Sequence, residues 1–130
     1  MKQQSFIIHG AFMIAIAVYA IIHPLAIAPA QAGVETDWLM SGIFVFIAFM
    51  SAVFGFVFPI IQAKQGIQPS PQSGQIKMIV TDACFESIAI YGLVGGFVGM
   101  PDWLAYTLMA TALFLLLLNT LRVNRWLSGV

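Results

Sequence analysis

Four uninterrupted apolar runs, near residues 6–28, 38–61, 78–99 and 103–121, take up most of this 130-residue chain. Each supplies the roughly 20 residues an α-helix needs to cross about 30 Å of hydrocarbon. The runs are continuous rather than alternating apolar and polar, which argues against a transmembrane barrel. Charged residues make up only 8% of the chain, against roughly 25% in a soluble domain, so a water-facing surface cannot be built from this composition. The expected fold class is therefore all-α: one integral membrane domain over residues 1–130, a bundle of four transmembrane helices.

The charges outside the runs give this bundle a direction. Lys2 precedes the first run, Lys64 and Lys77 flank the second gap, and Arg122 and Arg125 follow the fourth run. The other two gaps carry only acids, Glu35 and Asp37 in one and Asp102 in the other. Basic residues collect on the cytoplasmic side of such proteins, so both termini and a loop over 62–77 are expected there, in a membrane of the bacterial inner-membrane type. That loop holds Gln68-Pro69 and Pro71 and reads as irregular. Pro59 is expected to kink or end the second helix. Ala30-Gln31-Ala32 before Gly33 resembles a signal-peptide cleavage site. The preceding apolar run of about 22 residues is longer than the roughly 7–15 of a secretory signal, so it is read as a retained span.

Several function classes drop out. Formal net charge is zero and there is no basic stripe, so no nucleic acid is expected as a partner. The lone Cys84 precludes an internal disulfide and a multi-cysteine metal site, and reads as a small packing residue. No metal-ligand set, phosphate loop or nucleophile–base pair is visible, so neither an enzyme nor a bound metal is expected. His9 and His23 stand 14 residues apart on one face of the first helix, about 21 Å from each other. They read as satisfied or interfacial histidines, since haem would need partner histidines from another chain. Trp38, Trp103 and Tyr106 are expected as outer interfacial anchors and Trp126 as an inner one.

Small residues mark the third helix. Ala89, Gly92, Gly96 and Gly99 form a stripe, and Gly92/Gly96 and Gly95/Gly99 both have G-x-x-x-G spacing. Such stripes let helices approach closely. The third helix is therefore expected at the centre, in a homo-oligomer or a subunit of a larger membrane complex, with the lipid bilayer around it.

Two charges remain inside a span. Asp82 and Glu86 are four residues apart on one face of the third helix. Measured from Lys77, Asp82 lies about 8 Å and Glu86 about 13 Å along the helix. An ionised carboxylate at the depth of Glu86 costs at least about 3 kcal/mol, so it must be protonated, paired or hydrated. Asp82 can reach interfacial water, Lys77, Arg122 or Asn119. Two readings stay open: a carboxyl that binds or relays a proton or sodium ion, or a protonated donor that locks helices through Ser51, Tyr19 or a backbone carbonyl.

The stretch Phe85-Glu86-Ser87-Ile88-Ala89-Ile90-Tyr91-Gly92-Leu93-Val94 resembles the ion-carrying helix of the proteolipid (c) subunit of rotary ATP synthases. Gln68-Pro69 in the preceding loop is similar to that family's R-Q-P element without its arginine. The resemblance implies that Glu86 is the ion-binding carboxylate, with Ser87 and Tyr91 as assisting hydroxyls; Asp82 is an extra acid beside the family's pattern, expected as a relay on the cytoplasmic side. The resemblance also implies a bound proton or sodium ion as the only cofactor. The likeness is confined to the third span and its loop. The second span has six phenylalanines where proteolipids carry a glycine stripe, and it lacks a mid-span glutamine.

Overall fold

A computed structural model describes residues 2–27, 35–68 and 70–127. Helix α1 covers Lys2–Ile22 and runs on into a π-helical segment, His23–Ile27. Helices α2 (Trp38–Lys64), α3 (Pro71–Phe97) and α4 (Asp102–Leu127) follow. Among the described residues there is no strand, and four helices are long and apolar enough to cross a membrane. The cleavage-like residues 30–33 and Pro69 lie outside the described residues.

The segment expected as a loop over 62–77 is mostly helix. Helix α2 passes through Pro59 and continues to Lys64, and α3 already begins at Pro71. Ser70 explains the early start of α3. Its backbone is extended, its Oγ accepts from the Ser73 N–H at 3.1 Å, and its own N–H donates to Ser73 Oγ at 3.0 Å. Proline at the first helical position has no N–H to leave unsatisfied, so the Ser-Pro pair starts a helix here instead of breaking one. Pro59 removes one backbone hydrogen bond from α2 without ending it.

The other end of α3 is closed two residues earlier than the apolar run. Gly99 adopts φ +97°, and the N–H groups of Val98 and Met100 both donate to the Gly95 carbonyl, at 3.0 and 2.9 Å. Only glycine accepts that backbone geometry without strain. The Asp37 N–H then donates to the Gly99 carbonyl at 3.0 Å, tying the start of α2 to this turn.

Helix α3 is the centre of the bundle. It packs against each of the other three, while α1 rests on α3 and α4, and α2 rests on α3. The main core joins Ile16, Ala48, Phe85, Ile88, Ala89, Leu108, Ala112 and Leu116. A smaller core of Met78, Val123, Trp126 and Leu127 closes the end that holds the start of α1 and the end of α4, the terminal end. Trp126 is therefore buried, not an interfacial anchor, and the Arg122 guanidinium lies 4.9 Å over its ring. Trp38 and Trp103, at the opposite end, are exposed.

The small-residue stripe is filled by contacts inside the chain. A Cβ on Gly92 would lie 2.8 Å from the Ala105 carbonyl oxygen, so α3 and α4 touch at backbone distance. Ala89 is buried in the main core, Gly95 abuts Met100, and Gly96 abuts Ile27 and His23. None of these contacts needs a second copy.

Candidate functional site

Helices α1 and α3 run in the same direction and α4 returns against both, which brings His9, Asp82 and Asn119 together in the terminal half of the bundle. Asp82 is 0% exposed and His9 2% exposed. His9 Nδ1 lies 2.6 Å from Asp82 Oδ2, and Asn119 Nδ2 donates to Asp82 Oδ1 at 2.9 Å. The same amide donates to Thr81 Oγ1 at 3.0 Å, and Thr81 donates in turn to the Lys77 carbonyl at 2.8 Å. On the far side of the imidazole, His9 Nε2 lies 2.8 Å from Thr120 Oγ1, whose hydroxyl also reaches the Leu116 carbonyl at 3.1 Å. A carboxyl, an imidazole, an amide and two hydroxyls thus form one connected network in an otherwise apolar interior.

This network obeys the rule for buried polar groups: an unpaired one costs about 1–3 kcal/mol, and a charged one more. Both oxygens of Asp82 have a nitrogen partner, His9 Nδ1 on one and the Asn119 amide on the other. One acceptor, Asn119 Oδ1, has no hydrogen-bond partner.

Glu86 sits one turn along α3, half-buried, at an open groove of about 300 Å³ between α1 and α3 lined by Ile8, Ala11 and Phe12. Tyr19 donates its hydroxyl to Glu86 Oε1 at 2.9 Å. Asp82, not Glu86, is the carboxyl removed from the surface. Ser87 and Tyr91, the hydroxyls expected around Glu86, lie elsewhere. Ser87 donates to the Ala83 carbonyl at 2.7 Å and faces Ile47, Met50 and Phe54 of α2, while the Tyr91 ring is 6.3 Å from that of Phe44. The reason is helical geometry: at about 100° per residue, Ser87 and Tyr91 point roughly 100° and 140° away from Glu86. Asp82 and Glu86, about 40° apart, share the side that meets α1.

His9 was not singled out as a site residue by the sequence, although its depth gave the signal. It is about 10 Å along α1 from Lys2, as Asp82 is about 8 Å along α3 from Lys77, and two parallel helices entering from one side bring equal depths together. Thr81 and Thr120 carry no comparable signal, since threonine is common in such helices.

The remaining polar cluster is at the opposite end. His23 is 1% exposed, with its ring 4.8 Å from that of Tyr106 and Nε2 at 3.5 Å from Asp102 Oδ1. Among the described residues, no three His, Cys, Asp or Glu side chains converge as a metal-binding group.

The arrangement defines a class: a helical bundle of membrane-spanning dimensions with a histidine–aspartate pair sealed in its interior. Compared with protein-family models, curated proteins and solved structures, the chain matches none.

Proposed function

We propose that this chain is an integral membrane protein with both termini in the cytoplasm, and that its His9–Asp82 pair binds and relays a proton within the membrane. The observation that carries this reading is a carboxyl and an imidazole, both fully enclosed, 2.6 Å apart. Such a pair is neutral overall when it holds one shared proton, whichever partner carries it. A second proton leaves it cationic and the loss of the first leaves it anionic, and both states are costly in an apolar interior. The pair is therefore suited to carrying one proton at a time between its two partners.

Thr120 supports this reading. Its single hydroxyl hydrogen can serve the Leu116 carbonyl or His9 Nε2, but not both. With the hydrogen on Leu116, Nε2 of His9 must carry a hydrogen and donate it to the Thr120 oxygen. With the hydrogen turned to Nε2, that nitrogen accepts and Nδ1 carries the ring hydrogen. Proton movement at His9 is coupled to the rotation of one hydroxyl.

A proton fits better than sodium. Sodium is held by oxygen ligands, and the oxygens of Asp82 are met by nitrogen donors from His9 and Asn119. Glu86, the carrier implied by the likeness to proteolipids, becomes a second station, with Tyr19 as its hydroxyl partner. A competing reading, a non-transporting subunit whose network locks α1 to α3 and α4, is favoured by the same bonds because they join three helices.

Proton flux decides between the two. The full chain is reconstituted in sealed vesicles with an entrapped pH dye and an imposed potassium diffusion potential. Wild type is expected to pass protons, and Asp82→Asn, which keeps the shape of the side chain, should slow this by about a hundredfold or more. A folded wild type that passes none would sink the proposal and leave the lock.

A further inference from the structure

We infer that His23 and Asp102 form a second protonatable station at the opposite end of the bundle, joined by a polar relay to the His9–Asp82 centre. This rests on the reading of His9–Asp82 as a proton-handling centre, and extends it to groups that reading does not use.

His23 is enclosed to 1% exposure, yet neither of its ring nitrogens has a hydrogen-bond partner. Leaving buried polar atoms unpaired costs about 1–3 kcal/mol for each group, and an apolar residue would fill the same space without that cost. The site is nonetheless built around the ring. A π-helical turn, a form concentrated at functional positions, carries His23 at its first residue. Gly96 makes room for it: a Cβ there would come 3.2 Å from Nε2. The Tyr106 ring packs on one side, and Asp102 Oδ1 stands 3.5 Å from Nε2. Asp102 is itself 62% exposed, so it joins water to a nitrogen that water does not reach.

From there the titratable side chains alternate between α1 and α3. Tyr19 is one turn before His23 on α1, and its hydroxyl donates to Glu86 Oε1 at 2.9 Å. Asp82 is one turn before Glu86 on α3 and meets His9 at 2.6 Å. His9 reaches Thr120 at 2.8 Å. The two steps along a helix, His23 to Tyr19 and Glu86 to Asp82, each cover about 5–6 Å between Cβ atoms, a gap that one bridging water would span. A proton taken up by Asp102 passes to His23, then through Tyr19 to Glu86, to Asp82 and to His9. Each group from Asp102 to Glu86 gains one proton and yields one, returning to its starting state, and the proton comes to rest on the His9–Asp82 pair.

The test uses the full chain in the same sealed vesicles, with the wild-type flux as reference. His23→Gln is expected to cut proton flux by about a hundredfold, and Asp102→Asn by a smaller factor. Imidazole added to the buffer is expected to restore flux to His23→Gly, a rescue that a purely structural histidine would not show. Helix content by circular dichroism checks the fold. Flux within twofold of wild type in folded His23→Gln overturns this inference while leaving the His9–Asp82 proposal standing, whereas a wild type without flux overturns both. Should His23→Gln fail to fold, Asp102→Asn decides, because that exposed side chain carries little packing. Unchanged flux in Asp102→Asn then overturns the second station.

Discussion

At the scale of residues, the centre of the molecule is a pairing that no local pattern announces. Asp82 and Glu86 stand out in the sequence as charges inside an apolar run, and the contacts of Asp82 with Asn119 and of Glu86 with Tyr19 are among those the sequence put within reach. Which carboxyl is sealed and which is open depends on where α1 lies, and that is tertiary information. His9 looked like an isolated histidine because its partner is 73 positions away. The pairing has an energetic signature. Removing one member of a buried ion pair strands the other and costs about 3–5 kcal/mol, whereas replacing both with apolar groups is far milder. His9→Leu and Asp82→Leu are each expected to destabilise the bundle by about that amount, and the double variant by much less than their sum. Unfolding by sodium dodecyl sulfate in mixed micelles measures all three, and additive losses would show that the two side chains are independent.

At the scale of elements, α3 carries both acids that fall within the apolar runs and touches every other helix, so its placement fixes the site. The apolar run located α3, but the start was misread because prolines and serines suggest a loop. Ser70-Pro71-Gln72-Ser73 is in fact a capped first turn, and it lengthens the helix towards the terminal end. The glycines of α3 were legible as close-packing residues, though not the neighbour they serve, which is α4 and the end of α1 within the same chain. A pair of substitutions separates packing from helix propensity. Gly92→Ala forces a Cβ against the Ala105 carbonyl and is expected to cost about 1–3 kcal/mol. Gly42→Ala meets nothing within 4 Å and is expected to be neutral or to gain up to about 1 kcal/mol from helix propensity. The same unfolding assay checks both, and equal effects would rule out the tight α3–α4 seam.

At the scale of the whole molecule, the apolar composition is displayed outward as well as inward. Phe46 and Phe49 of α2 are each 64% exposed, and Ile7, Ile14 and Ile21 of α1 are exposed too. A surface of this kind needs hydrocarbon or another apolar surface around it. The four runs and their order were readable because continuous apolarity is a local property. The charges supplied a direction, which the helical bundle accommodates: Lys64, Lys77, Arg122 and Arg125 belong to the terminal end, and Asp37 and Asp102 to the other. Under the proposed orientation, the short connection near Gln65 faces the cytoplasm and the segment at Thr36 faces outward. Single cysteines test this once Cys84→Ser has removed the native thiol. Thr36→Cys is expected to react with a membrane-impermeant maleimide added to intact cells, and Gln65→Cys only after the membrane is permeabilised. The reverse pattern would invert the direction of the proposed relay, placing His23 and Asp102 on the cytoplasmic side. Labelling of both positions in intact cells would mean that α2 does not cross the bilayer, and the sealed setting that gives His9 and Asp82 their chemistry would be lost.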